Sequence, residues 1–179
     1  MNNKEYRFVS PPPISKPFQS MSISEAKEYY SWHRTMLDNR LLNMGTLLSF
    51  NLQYTPESLT ELWDKIIAYH KCTIGKAGIS GTTDAYESLI ACAGLYIAEV
   101  FVKNNPQIIW DCNTDAEDGD IFKNKPVLKG FCDKSFDPPF KMVFEPYHMI
   151  HVQASRINRG NACVNDLLDL YQHWCKLIC

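Results

Sequence analysis

The stretch from Asp84 to Trp110 constrains this chain more than any other, because a long apolar segment in it ends abruptly. At 100° per residue its apolar side chains cover almost the whole circumference of a helix, which is typical of a helix buried on all sides. Asp84 and Glu87 form a capping pair at its start, and Pro106 cannot continue it. The pattern predicts a central, buried helix over residues 84–104. Its broadest apolar face comprises Leu89, Ile90, Ala93, Tyr96, Ile97, Val100 and Phe101, and a strip of small residues, where another element could approach closely, comprises Ala91, Gly94 and Ala98.

Composition and charge exclude several classes of protein. Of the 179 residues 45% are hydrophobic and 21% are charged, which suits one globular domain with its own core. A formal net charge of −2 gives no electrostatic reason to bind nucleic acid or an anionic membrane. The N-terminus lacks the apolar run of an export signal, and the run from Ala91 to Val102 is shorter than the roughly 20 residues of a membrane span. We therefore expect a cytoplasmic protein whose seven cysteines are reduced, most of them small core residues.

Helix and strand signals flank the central segment on both sides. Residues 1–20 are rich in proline and are predicted to form an extended arm anchored by Phe18, which leaves residues 21–179 as a single domain. Ser22 and Glu25 form a capping box that opens a helix. We predict a helix-rich α+β domain, in which an antiparallel sheet of about three strands covers one side of the central helix. Further helices are predicted from Thr55–Pro56 to His70, from Pro146 to Asn158 and from a cap at Asn161 onward, and strands over residues 108–112, 126–131 and 139–145.

Nucleotide-binding and catalytic motifs find no support. The segment GKAGISGTT, residues 75–83, places glycines, a lysine and hydroxyls before a helix, where backbone amides favour anions. A helix rather than a strand precedes it, however, and Asp84 puts a carboxylate where the phosphate would sit, so we interpret it as a connection between helices. The sequence also lacks a nucleophile elbow and a cysteine in a recognisable catalytic context, and we predict no catalytic residue.

Two segments resemble metal sites without completing them. Asp111, Asn113 and Asp115 have the spacing of the first ligands of a calcium loop. Ala116 and Phe122 replace the turn glycine and the bidentate glutamate of that loop, so we expect a solvated hairpin loop. Two imidazoles and two thiols would suffice for a structural zinc, but nothing in the spacing requires the pairs to meet, and we predict neither a metal nor a cofactor. These residues are His148, His151, Cys175 and Cys179.

Glu99 is the most informative polar residue, because it lies in the most apolar part of the chain. The favoured interpretation places it at the edge of the helix, paired with Lys103 one turn later at about 0.2–0.5 kcal/mol. The alternative is a buried carboxylate that points into a pocket, with Tyr96 and Trp110 beside it. The candidate ligand-binding residues are therefore Tyr96, Glu99 and Trp110.

Several of these segments resemble a group of uncharacterised bacterial proteins. Residues 96–100 read YIAEV, Trp110 follows Asn105-Pro106, and residues 125–131 read KPVLKGF. In that group a Tyr-Leu-Gly-Glu-Val helix leads to a Pro…Trp strand and a Gln-Pro-Val-Leu-x-Gly-Phe strand. This chain departs from the pattern at Ala98, where the group has Gly, and at Lys125, where it has Gln. The segments SxxEAKEYY and YTPESL extend the resemblance back to residue 22.

The resemblance implies a bacterial, intracellular, single-domain α+β protein and brings no established activity. Small soluble bacterial proteins of this kind often neutralise toxins, so by analogy we expect a non-enzymatic protein-binding module, such as an immunity-type inhibitor of a toxin. The alternative is a small-molecule-binding protein or an enzyme that uses a pocket around Glu99. Candidate aromatic anchors for a partner, most of which would serve equally well in the core, are Tyr29, Tyr30, Trp32, Trp63 and Trp174.

Overall fold

Helices and a small sheet follow one another in the order that the sequence predicts. The computed structural model describes residues 16–77 and 84–179, without the side chains of residues 74–77. The three strands form one antiparallel sheet in the order β1-β2-β3, which confirms the helix-rich α+β class. The elements are α1 (Ile23–Leu48), α2 (Ser58–Ala77), α3 (Asp84–Asn104), β1 (Ile109–Cys112), β2 (Pro126–Asp133), β3 (Phe140–Phe144), α4 (Pro146–Asn158) and α5 (Asp166–Cys175).

The central helix α3 is buried as predicted. Tyr96, Ile97, Val100 and Phe101 are all 0% exposed. By length and composition alone α3 could cross a membrane, but 72% of its most apolar window is buried inside the protein, as in the core helix of a soluble protein. Gly94 lets α4 come close, since a Cβ there would lie 2.7 Å from the carbonyl oxygen of Pro146.

The sheet covers α3 with aromatic side chains. β2 pairs with β1 at Leu128 and Trp110, and with β3 at Phe131 and Met142. A register shift between Leu128 and Phe131 coincides with Gly130, whose φ of +113° favours glycine. Phe131 and Phe144 from the sheet and Tyr171 from α5 place their rings 4.5 to 5.5 Å from the ring of Phe101.

The N-terminal boundary of α1 follows the predicted signal. The backbone N–H of Glu25 donates to the Ser22 hydroxyl at 3.3 Å, and the Glu25 carboxylate accepts from the Ser22 N–H at 2.7 Å. Residues 1–15 of the predicted arm lie outside the described residues. Phe18 is an anchor as expected, because its ring meets Tyr29 edge-on at 5.0 Å.

Two helix boundaries were predicted wrongly. α2 runs on to Ala77 instead of ending near His70, since no proline follows and a single glycine does not stop a helix. Residues 78–83 of the predicted connection lie outside the described residues. α5 begins at Asp166 and not after Asn161, because the Asp166 carboxylate accepts from the N–H of Cys163 at 2.9 Å and holds residues 163–165 in a turn.

Candidate functional site

Glu99 lies where α3 meets α1 and β1, and it is only 7% exposed. Its Oε1 accepts one hydrogen bond from the indole Nε1 of Trp110 at 2.7 Å and another from the guanidinium of Arg34 at 3.2 Å. The Arg34 guanidinium also lies 5.2 Å from the centroid of the Trp110 ring. A buried carboxylate is costly unless it is paired, and here a cation and a neutral donor share one oxygen.

The predicted pair between Glu99 and Lys103 is not the one that forms. The Lys103 ammonium lies 3.4 Å from the centroid of the Tyr54 ring, while Glu99 pairs with Arg34, 65 residues earlier in the chain. Burial, followed by the negative charge of Glu99, raises the pKa of the Tyr54 phenol. Sequence reasoning missed Arg34, because no local spacing signals a contact between α1 and α3.

Tyr96 belongs to a neighbouring set of contacts. Its hydroxyl lies 2.7 Å from the Ser58 hydroxyl and accepts from the backbone N–H of Tyr54 at 2.9 Å. Its ring stacks on that of Tyr54 at 5.2 Å, so it fixes the connection between α1 and α2 onto α3. Glu99 and Trp110 are thus directly bonded and Tyr96 is bonded elsewhere. The ligand-binding role of the three stays a prediction.

A second buried polar network joins α1 to α4. His33 is 0% exposed, and its Nε2 lies 3.1 Å from the Tyr147 hydroxyl, which accepts from Arg40 at 2.9 Å. Arg40 can only donate, so the Tyr147 hydroxyl accepts from it, and the direction of the bond between this hydroxyl and Nε2 follows the tautomer of the His33 ring. Burial, then the charges of Arg40 and Arg34, lower the pKa of His33 to about 3, so the imidazole is neutral.

Arg40 belongs to the same network as Tyr147. Its guanidinium donates to Tyr147 and lies 5.8 Å from the centroid of that ring. Burial raises the pKa of the Cys92 thiol on α3, and the charge of Arg40 opposes this rise. Within the part of the chain that the structure describes, Arg40 forms no ion pair. Arg34, which precedes Arg40 on α1, has Glu99 as its counter-ion.

Two hollows open beside these networks. One, of about 160 Å³, lies between α1, α2 and α3 and is almost entirely apolar; it is lined by Asn43, Met44, Leu47, Tyr69, Ala85, Ser88, Leu89 and Cys92. The other, of about 430 Å³, is open and polar and lies between α1 and the end of β1; it is lined by Lys27, Tyr30, Ser31, Asp111, Cys112, Thr114, Asp115 and Lys129. In the polar hollow Lys129 is held by Asp111 at 3.0 Å and Asp115 at 2.6 Å. Neither hollow is lined by Tyr96, Glu99 or Trp110.

The histidine and cysteine pairs do not assemble into a metal site. The His148 ring packs edge-on against Phe122 at 5.3 Å, and His151 lies 3.8 Å from Glu87. No group of three or more metal-ligating side chains occurs among the described residues.

All seven cysteines are free thiols, but the expectation that most lie in the core is wrong. Only Cys92, Cys112 and Cys132 are buried. The other four are partly or fully exposed to solvent; they are Cys72, Cys163, Cys175 and Cys179.

Comparison of this chain with known proteins finds no relative. No family model matches the chain, and neither the curated proteins nor the solved structures contain a match. The chain is therefore defined by what its own residues build: a helix-rich α+β domain whose central helix carries a buried polar junction.

Proposed function

We propose that this chain is a non-enzymatic protein-binding module and, in its specific form, a cytoplasmic immunity-type inhibitor that binds a bacterial toxin. The observation that carries the proposal is a pair of phenylalanines at the hairpin between β2 and β3. Phe136 and Phe140 are 59% and 63% exposed, and their ring centroids are 6.1 Å apart. Single exposed apolar side chains are common, whereas two adjacent aromatic rings form the kind of patch that partners cover.

The aromatic anchors expected from the sequence are less suitable for an interface. Trp63 and Trp174 are 0% and 7% exposed and belong to the core. The three aromatic residues of α1 are half-buried, and two of them pack on each other; they are Tyr29, Tyr30 and Trp32. The hairpin phenylalanines therefore replace them as the proposed anchors.

The side chains of the hairpin indicate what kind of protein surface would bind it. Two flat apolar rings are best covered by an apolar pocket on the other protein. Lys141, next to Phe140, is exposed and forms no ion pair within residues 16–77 and 84–179. We therefore expect a toxin surface with an apolar pocket and a carboxylate on its rim.

The experiment uses the full chain and a purified partner. A toxin encoded beside the gene of this protein is expected to form a one-to-one complex with it and to be neutralised in a growth assay. Replacing Phe136 and Phe140 together by Ser should weaken binding by at least about 100-fold, because buried aromatic anchors carry most of the affinity of an interface. Thermal unfolding should be nearly unchanged, since both rings face water in the free protein.

The matched control is Val152→Ser, which removes an apolar side chain that is 50% exposed on α4. It should leave the affinity for the toxin unchanged. Equal affinity of the wild type and the double hairpin variant would remove the proposed interface.

The alternative function, a small-molecule-binding protein or enzyme at Glu99, has one observation in its favour. Only Oε1 of Glu99 accepts hydrogen bonds from the described residues, which leaves Oε2 for a ligand. A ligand that is lost with Glu99→Gln but retained by the hairpin variant would favour this alternative. If Glu99→Gln changes no result in a ligand screen, the alternative is wrong.

A further inference from the structure

The apolar hollow between α1, α2 and α3 has the size of one ring. Its volume of about 160 Å³ is close to the roughly 150 Å³ of an engineered apolar cavity that binds benzene. Met44, Leu89 and Cys92 are buried and form its floor, and Leu47 and Tyr69 form walls. An apolar molecule entering it would exchange water for contacts with these side chains.

A cation lies beside this floor. Arg40 is near enough to Cys92, which lines the hollow, for its charge to oppose the rise that burial causes in the pKa of that thiol, and it precedes Asn43 and Met44 by three and four residues on the same face of α1. Its side chain is half-buried, yet it has no counter-ion among the described residues, in contrast to Arg34 on the same helix. A guanidinium withdrawn from water favours a carboxylate strongly, because two parallel N–H groups match its two oxygens.

We propose that this hollow binds a small carboxylic acid whose apolar body is about the size of one aromatic ring, with the ring between Met44 and Leu89 and the carboxylate on Arg40. The two observations are independent. The volume and apolar lining of the hollow favour a ligand with a ring-sized apolar part, and the guanidinium of Arg40, which has no counter-ion among the described residues, favours a carboxylate on that ligand. Asn43 and Ser88 add polar groups at the rim that can orient a second polar atom. The site shares no residue with the phenylalanine hairpin, so it stands whether or not the hairpin binds a toxin.

The test compares phenylacetate with phenylacetamide, which has nearly the same shape and no charge. Binding to the full chain is followed by NMR titration of the methyl groups of Met44, Leu47 and Leu89. We expect phenylacetate to bind at least about tenfold more tightly than phenylacetamide. Failure of both to shift these methyl groups at millimolar concentration, or equal affinity of the two, would overturn the proposal.

Three variants locate the two halves of the site. Ser88→Phe places a ring in the hollow and should abolish binding of both probes; binding that survives it would place the ligand elsewhere and overturn the proposal. Arg40→Gln should remove the preference for the carboxylate, and Arg40→Lys, which keeps the charge in case the Gln variant fails to fold, should retain a reduced preference. Arg34→Gln is the matched control, because it removes a guanidinium that already has a counter-ion, and it should leave the preference unchanged.

Discussion

The two flanks of α3 are both buried, but one is built from rings and the other from charged and polar groups. Toward the sheet and α5, the ring of Phe101 meets three other aromatic rings at 4.5 to 5.5 Å. Toward α1, β1 and α4, the same helix contributes a buried carboxylate, and the side chains on that side include two arginines and a neutral histidine. The residues of this polar flank are His33, Arg34, Arg40, Glu99, Trp110 and Tyr147.

The difference shows that one side of α3 stabilises the fold by packing, whereas the other side holds the groups that can titrate or bind a ligand. Packing between these rings depends on volume and ring orientation, and burial raises the pKa of its one phenol, Tyr171, to about 12, so this flank carries no charge near neutral pH. On the polar flank each group needs its particular partner, because an unpaired polar atom in the interior is costly. Arg40, which has no counter-ion among the described residues, lies on this second flank, and the ring-sized hollow adjoins the flank at Cys92.

The largest loss of stability should come from removing a ring from the aromatic flank. Phe101→Ala removes a fully buried ring that touches three others, and we expect a loss of about 3–5 kcal/mol in the free energy of unfolding. Urea unfolding at neutral pH measures it. Phe140→Ala, at a residue 63% exposed, is the matched control and should stay within about 0.5 kcal/mol. Equal losses of unfolding free energy in the two variants would show that the buried ring of Phe101 stabilises the protein no more than an exposed ring does.

The polar flank should respond to acid where the aromatic flank does not. The pKa of His33 is about 3 in the folded protein, below the ordinary value of about 6.5 in the unfolded chain. The unfolded state therefore binds more protons, so this contribution is complete above pH 6.5 and is lost as the pH falls toward 3. Between pH 7 and pH 5 the loss should be about 2 kcal/mol.

His33→Gln isolates this contribution, since Gln keeps a hydrogen-bonding side chain that does not titrate. The difference in unfolding free energy between pH 7 and pH 5 should be about 2 kcal/mol smaller in the variant than in the wild type. The same pH dependence in both proteins would show that His33 is not held neutral.

The parts of this contrast that the sequence predicts are those with a local signal. The buried face of α3 follows from the periodicity of apolar residues, including Tyr96 and Phe101. The start of α1 follows from the spacing of Ser22 and Glu25, which determines the first turn without help from the rest of the chain. The positions of β1 and β3 follow from alternation of apolar and polar residues, whereas the signal for β2 is the proline at its start, Pro126.

The pairings of the polar flank could not be predicted, because each joins residues far apart in the chain. Glu99 is separated by 65 residues from Arg34, and the nearer Lys103 is an equally good partner by charge alone. His33 and Tyr147 are 114 residues apart. What sequence reasoning did identify is that Glu99 lies in too apolar a context to remain unpaired.

A smaller effect is expected where α4 crosses α3. Gly94→Ala adds a Cβ that would lie 2.7 Å from the carbonyl oxygen of Pro146, so the backbone of α4 must move. Ala favours the helix by about 1 kcal/mol over Gly, but the crowding against backbone should exceed this gain and leave a net loss of about 1–2 kcal/mol. Ser88→Ala on the same helix lacks this contact and should be neutral within about 0.5 kcal/mol in the same urea unfolding experiment. If Gly94→Ala is more stable than the wild type, α4 can move away from α3 at little cost.

The smallest effect concerns the ion pair that closes the polar flank. A double-mutant cycle with Arg34→Ala and Glu99→Ala should give a coupling of about 1 kcal/mol, because the carboxylate is buried while the arginine side chain is 35% exposed and partly screened by water. The coupling should fall in 1 M salt, whereas the loss caused by Phe101→Ala should not. A coupling near zero at low salt would mean that the hydrogen bond from Trp110 alone holds Glu99 in the interior. Arg34 would then be, like Arg40, a cation available to a ligand.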